Sequence, residues 1–377
     1  MTQTRAPTPL ELEIRARIAT EGPIPVSRYM ELCLGHPRHG YYITRDPLGW
    51  AGDFTTAPEI SQMFGELIGL WAVAAWQAMG SPNPFILMEL GPGRGTLMAD
   101  ALRAARLVPA FGAAARVHLV ETSPVLRQSQ AHRLKASCAE LTWHTDIAQV
   151  AEGPTVVLAN EFFDALPIAQ FVRAGAYWHE RCVGIGPDGA LAFGLNPTPS
   201  SAATRFARHF EGSALPGAVL EHLDSAAGDI LARRLAAAPG FALVIDYGPA
   251  RSGFGDTLQA VAGHRFVDAL ATPGAADLTA HVDFAALART AQRAGAAAFG
   301  PLTQADFLER LGLSARAERL KRDATPRQRE DIEAARVRLR GGGAGEMGNL
   351  FKVLSLATPG LGVPPAFDPC EHFRDLP

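Results

Sequence analysis

Two short stretches of the chain hold residue types whose spacing could do chemistry. The first is Glu89-Leu90-Gly91-Pro92-Gly93-Arg94-Gly95, which follows the apolar run Phe85-Ile86-Leu87-Met88. A run of that length reads as a buried strand, and the glycines after it as a tight turn. Thr96 is then expected to cap a helix carrying Leu97, Met98, Ala101, Leu102 and Ala105 at helical spacing. Such a turn lets a ligand approach the backbone, and the helix start offers free N–H groups. The second stretch is Asn160-Glu161-Phe162-Phe163-Asp164, leaving a strand expected over Thr155 to Ala159. A strand-to-helix turn needs one cap, and this one has an amide and two carboxylates. In an open α/β sheet, ligands bind at the carboxyl ends of the strands, so at least one of Asn160, Glu161 and Asp164 is expected to face a substrate.

The type of ligand follows from Glu89. A dinucleotide fingerprint reads G-x-G-x-x-G and lays pyrophosphate on the helix N-terminus. Here the order is E-x-G-x-G-x-G, and an acid two residues ahead of the first glycine would repel pyrophosphate. It suits a cation: the amino group of S-adenosylmethionine, with its sulfonium nearby. Glu89, Gly91, Gly93 and Gly95 are therefore assigned to that cofactor, with a dinucleotide site or a purely structural turn as the alternatives. Glu121 closes the next strand, Arg116 to Val120, where it can accept from a ribose hydroxyl pair or cap the following helix with Ser123. Asp146, after the strand Leu141 to His144, is placed to meet an adenine amino group or to serve as a turn residue. The loop Gly52 to Glu66 crowds Gly, aromatic and polar side chains together and is a candidate lid, with Asp53, Phe54 and Thr56 facing the cofactor.

The elements that must position these residues can be read in order. Leu10 to Thr20 is an amphipathic helix, and Ser27 caps a short one to about Leu34. Pro58 starts a helix to about Met79, with Ile60, Phe64, Leu67, Ile68, Trp71 and Ala75 inward. Phe171 to Val183 reads as a hairpin, and Leu191 to Leu195 as a further strand. A long helix is expected from Val219 to Ala237, a fifth strand from Phe241 to Ile245, and a helix after His281 and Asp283. Ala297 to Leu302 and Leu350 to Ser355 are the last strands, separated by helices that include the charge-laced Arg327 to Arg340. Strand alternating with helix predicts an α/β fold: a doubly wound, mostly parallel sheet. The division expected is a helical N-terminal layer over 1–80, then a sheet domain over 81–377. The latter has a β insertion at about 168–215 and a helical insertion at about 303–345.

At 377 residues, with 47% hydrophobic and 19% charged residues, the chain can bury one or two large cores. A formal net charge of −3 argues against a general binder of nucleic acid or anionic membranes. Four scattered cysteines without a CxxC read as reduced thiols in a cytosolic compartment, and no metal site is expected. The first ten residues hold no apolar core of a signal peptide, and the apolar stretch Leu67 to Met79 is too short to span a bilayer.

Eight stretches together carry a more specific likeness: GDFTTAPEISQMFGE, MELGPGRGTL, HLVETSP, ANEFFDALP, VIDYG, GDTLQAV, DLTAHVDF and GPLTQADFLERLGL. In them the chain resembles the MidA family of S-adenosylmethionine-dependent methyltransferases, which includes a mitochondrial assembly factor for respiratory complex I. The resemblance implies the seven-stranded, Rossmann-like sheet of class I methyltransferases and methyl transfer to a protein. The mitochondrial member methylates an arginine of a complex I core subunit. It implies that Glu161 and Asp164 orient a guanidinium, with Asn160 as a further acceptor, and that His281, in the HVDF loop, assists proton removal. The usual arginine methyltransferases present their acids in a differently spaced loop. It further implies a cytoplasmic protein in a bacterium, the mitochondrial matrix for eukaryotic relatives, and a protein partner, with a homodimer left open. Two other functions stay open: an assembly chaperone that keeps the fold without catalysis, and a dinucleotide-dependent oxidoreductase.

Overall fold

The computed structural model describes residues 6–45, 56–137, 140–210, 212–343 and 346–374. It divides into two compact units. One comprises Thr55–Phe163, Ala226–Ala250 and Phe284–Pro377; the other comprises Met1–Phe54, Asp164–Ser225 and Arg251–Asp283.

The first unit is built on a seven-stranded sheet. Its strands are β1 (Phe85–Leu90), β2 (Ala115–Val120), β3 (Leu141–His144), β4 (Thr155–Asn160), β5 (Gly240–Tyr247), β6 (Ala297–Thr303) and β7 (Phe351–Ala357). Across the sheet the order is β6-β7-β5-β4-β1-β2-β3. All neighbouring pairs are parallel except those that β7 makes with β5 and β6. The order reverses between β1 and β4, which places the ends of the Glu89 strand and the Asn160 strand at the switch point, where such sheets take their ligands. β1, β4 and β5 are buried along nearly their whole length. That explains why they read as unbroken apolar runs and not as alternating ones.

Helices cover this sheet. The short α1 (Ala57–Ile60) leads into α2 (Gln62–Ala78), and α3 (Thr96–Ala105) and α4 (Pro124–Leu134) follow β1 and β2. The helix expected from Pro58 is thus two helices. Ser61 breaks it with extended backbone, and its side chain accepts from the Met63 N–H to start α2 afresh. Between β6 and β7 lie a helix over Gln304–Arg310, α5 (Leu313–Lys321) and α6 (Pro326–Arg340). They span residues 304–340. α6 has a capping box at Thr325 and Gln328 and buries only Leu339, as its charge pattern implies.

The second unit holds a five-stranded antiparallel sheet. Ile168–Ala174 pairs with Tyr177–Ile185 and with Val219–Leu223, and Tyr177–Ile185 also pairs with Leu191–Pro199 and Ile24–Pro25. Val219–Leu223 is therefore a strand, not the first turns of a long helix. Its apolar residues answer Phe171 and Val172 across the ladder, and the helix begins only at Ala227. A three-stranded sheet joins Gln259–Ala262 with Arg265–Val267 and Asp277–Thr279. The helices Pro9–Glu21 and Val26–Gly35 belong here as well. Leu10, Ile14, Tyr29 and Met30 share a core with Ile168, Val183 and Leu278. The units therefore divide the chain elsewhere than at residue 80, because the apolar faces of the N-terminal helices find their partners in the β segments. No helix among the described residues is long and apolar enough to cross a membrane.

Candidate active site

Glu89 stands at the end of β1, 3% exposed. Its Oε2 is buried with no hydrogen-bond partner among the described residues. Burial, with Glu121's charge adding to it, pushes its pKa up to about 8; a backbone N–H from Met98 pulls the other way. After it, Gly91, Gly93 and Gly95 all take left-handed backbone, with φ of 61°, 53° and 76°. At Gly91 a Cβ would also sit 3.0 Å from the Phe162 ring, so the turn is closed to larger residues for two reasons. Gly95, not Thr96, is the N-cap of α3. The Thr96 hydroxyl instead donates to Glu59 of α1 at 2.5 Å.

Glu121 follows β2 and is 8% exposed. Its Oε1 accepts from the Ser123 N–H at 2.8 Å and its Oε2 from Gln130 at 3.2 Å. Burial raises its pKa against those bonds. Ser123 itself caps α4. Asp146 is exposed, and its side chain caps the short 3₁₀ turn Ile147–Gln149 through the Ala148 N–H. Of its two expected roles, the turn role is the one visible. Thr56 is the N-cap residue of α1. Asp53 and Phe54 lie outside the described residues.

Asn160 ends β4, beside β1 in the register that sets Ala159 opposite Leu90. Its amide Nδ2 donates to Glu161 Oε1 at 3.0 Å, and its Oδ1 is buried with no donor among the described residues. Glu161 has φ of 51°, a strained value for a side chain of this size. The Ala57 N–H of α1 also reaches Glu161 Oε1, at 3.2 Å. α1 thus touches both stretches: Glu59 holds Thr96 after the glycine turn, and Ala57 holds Glu161. Two buried acceptors, Glu89 Oε2 and Asn160 Oδ1, accordingly lie at the ends of adjacent strands across the switch point, each short of a donor. Unsatisfied buried oxygens of this kind cost stability until a donor arrives. A bound cation or N–H donor is the chemistry they fit.

Asp164 and His281 fall in the other unit. Asp164 is buried, and its backbone carbonyl accepts from the Ala280 N–H at 2.9 Å. His281 is half-buried and donates its own N–H to Thr257 Oγ1 at 2.8 Å. The same unit holds Tyr42, whose hydroxyl donates to Asp277 at 2.8 Å; burial and the charges of Asp277 and Asp164 hold its pKa well above the usual tyrosine range.

Two supporting residues escaped the sequence reading. Asp246, fully buried at the end of β5, accepts from the Phe163 N–H at 3.0 Å and the Tyr247 N–H at 2.9 Å, fixing the turn after Glu161. An acid closing an apolar strand, as Glu89 and Glu121 do, was signal enough to find it. Gln130, mid-helix in α4, had no such signal. It donates to the Gly93 carbonyl at 2.7 Å and to Glu121, and it accepts from Trp143 Nε1 at 2.8 Å. Replacing Gln130 by Leu leaves three partners unsatisfied. It is expected to lower unfolding stability by roughly 2–3 kcal/mol in a urea titration.

Comparison with known proteins adds the following. A family model described as "Putative S-adenosyl-L-methionine-dependent methyltransferase" matches residues 67–302. The chain is 38% identical over 379 aligned positions to "Protein arginine methyltransferase NDUFAF7 homolog, mitochondrial" of Drosophila melanogaster, covering 92% of this chain and 84% of that one. It is 38% identical over 341 positions to "Protein arginine methyltransferase NDUFAF7, mitochondrial" of Homo sapiens, covering 82% and 74%. A Burkholderia thailandensis protein, in a crystal structure bound to S-adenosyl-homocysteine, superposes with a TM-score of 0.81 at 27% identity and covers 97% of each chain.

Proposed function

This chain belongs to the family of S-adenosyl-L-methionine-dependent methyltransferases, and from that premise we propose that it methylates an arginine of a partner protein, a respiratory complex I subunit or one similar to it. The observation that carries the reading is the pair of orphaned buried acceptors, Glu89 Oε2 and Asn160 Oδ1, at adjacent strand ends. Glu89 fits the cofactor's ammonium, the glycine backbone at 91, 93 and 95 its approach, and Glu121 its ribose hydroxyls. When bound, S-adenosylmethionine supplies an electrophilic methyl group on sulfonium.

The protein's part is then mostly alignment. A guanidinium is planar, presents five N–H donors and is a poor nucleophile because its charge is delocalised. The Glu161 carboxylate, which accepts from the Ala57 N–H and the Asn160 amide, brings its negative charge to the guanidinium. Asn160 Oδ1 takes one of its N–H groups. Charge held on the bound nitrogens leaves the remaining one more nucleophilic. Relatives named as arginine methyltransferases support the target, and their mitochondrial naming supports a respiratory partner.

The test is mass spectrometry of the organism's proteome with and without this protein. A methylarginine lost with the protein and restored by the purified enzyme with S-adenosylmethionine is the expected result. Methylation that appears only on glutamine, lysine or a small molecule would overturn the arginine assignment. An intact respiratory complex in the presence of a Gly93→Val variant unable to bind cofactor would favour the chaperone reading.

A further inference from the structure

A helix of one turn fixes several dihedrals for about one hydrogen bond, so it does not hold itself in place. α1 is such a helix, with extended backbone at Thr56 before it and at Ser61 after it. Thr56, its N-cap residue, gives it no side-chain bond. Its position is therefore set by what it touches. Ala57 and Pro58 are buried. Ala57 gives its N–H to Glu161 Oε1 at 3.2 Å, and Glu59 Oε1 accepts from the Thr96 hydroxyl at 2.5 Å. The other Glu59 oxygen stands 4.0 Å from Arg94 Nη1. One carboxylate thus meets both polar side chains that flank Gly95, the last left-handed glycine of the turn. The Arg94 pair is part-exposed and at the limit of ion-pair distance, so it contributes little. The Thr96 bond is the grip.

The two turns also meet directly, where the Phe162 ring lies against Gly91. That contact is apolar and does not orient the Glu161 carboxylate. Two donors reach Glu161 Oε1: the Asn160 amide on the neighbouring residue, and the Ala57 N–H from 104 positions earlier. The first moves with Glu161's own turn. The second is an outside reference, and α1 takes its own bearing from Thr96.

We propose that Glu59 is a positioning residue for methyl transfer: by holding Thr96 it registers α1, and through the Ala57 N–H the Glu161 carboxylate, on the turn that receives the cofactor. The inference rests on the reading that Glu161 meets the methyl acceptor. Order in the glycine turn then passes to the acceptor acid, so cofactor binding readies the acceptor site before the substrate arrives. A displacement of about 1 Å at that acid is enough to slow transfer, because the protein's contribution is alignment.

Hydrogen exchange at the Ala57 amide, followed by NMR, reads the linkage directly. In the parent, S-adenosyl-homocysteine is expected to slow it at least ~5-fold. In Glu59→Ala and in Thr96→Val the same ligand is expected to bind within about 3-fold of the parent's affinity without slowing Ala57. In each, kcat for methyl transfer should fall by roughly 10–100-fold. The double variant should be no slower than either single one, since both cut the same bond. Glu59→Gln, which keeps an oxygen for the Thr96 hydroxyl, should recover most of both effects. A residue that only stabilised the fold would lower the melting temperature and leave kcat and the ligand-dependent protection in place. That result, additive losses in the double variant, or an equal loss in Glu59→Gln overturns the proposal. The exchange measurement needs no methyl acceptor, and the kinetics use whichever acceptor the parent methylates. A lysine or glutamine product therefore sinks the arginine reading and leaves the role of Glu59 standing; a methylarginine product with Ala57 exchange indifferent to the ligand does the reverse.

Discussion

Glu89→Gln is expected to abolish measurable cofactor binding and, at pH 8, to make the ligand-free protein more stable than its parent. Both effects have one origin. The parent carboxylate is buried with an unpartnered oxygen and titrates near 8 instead of its ordinary value near 4.5. Below the ordinary value both folded and unfolded chains hold the proton, and Glu89 contributes nothing to the pH dependence. Between that value and about 8 the unfolded chain has lost a proton that the folded chain keeps, so stability falls as pH rises. Above about 8 the whole penalty is present. A neutral glutamine removes it, a gain of roughly 2–4 kcal/mol after allowing for the amide's own burial.

The ligand experiment has the opposite sign. A cationic cofactor favours the ionised carboxylate, so binding releases a proton and parent affinity rises with pH up to about 8. Calorimetry in two buffers of different ionisation enthalpy at pH 7 is expected to detect that proton in the parent and no binding in the variant. Thermal scans at pH 5 and pH 8, with and without S-adenosyl-homocysteine, complete the check. Ligand at 100 times its dissociation constant is worth about 2.7 kcal/mol to the parent. A variant destabilised at pH 8, or one that still binds with parent affinity, would show that Glu89 is not the cation's partner.

Glu161→Gln is the second large effect, on turnover and not on the cofactor. Glutamine keeps an oxygen for the Ala57 N–H and the Asn160 amide. What it loses is the negative charge toward the guanidinium. Methyl transfer is expected to fall by roughly 100–1,000-fold in kcat, with cofactor affinity within about 3-fold of the parent. Single-turnover transfer from labelled S-adenosylmethionine, alongside calorimetry of cofactor binding, separates the two quantities. Undiminished transfer would remove Glu161 from the reaction and leave its left-handed backbone without a functional reason.

How much of this could be read from the sequence depends on how local the cause was. The strands β1, β4 and β5 were legible because a strand buried on both faces is a short apolar run, and each ends in a polar residue at the switch-point side. The glycine turn was legible because only glycine tolerates three left-handed positions so close together. The Val219–Leu223 strand was not: its five residues suit a helix as well as a strand, and the pairing with Ile168–Val172, some fifty residues earlier in the chain, decides it. The break at Ser61 was hidden for a similar reason, since a helix interior tolerates serine and only the cap geometry shows the restart. Gln130 escaped because its worth lies in a hydrogen bond to a residue 37 positions away, which no local pattern encodes; Asp246, whose bond reaches 83 positions back, carried the same strand-end signal as Glu89 and Glu121 and was passed over.

The division of the chain has a consequence for how it can be made. The path passes from one compact unit to the other at 54/55, 163/164, 225/226, 250/251 and 283/284, so neither unit is a continuous stretch. On a ribosome, the N-terminal helices emerge long before the β segments that complete their core. The main sheet cannot gain β6 and β7 until the last hundred residues have been released. Any intermediate halted before then exposes the apolar edge of β5, an invitation to aggregate. Newly made chains therefore have reason to lean on a holdase, and neither half can be expressed alone as a folded fragment by cutting the gene once.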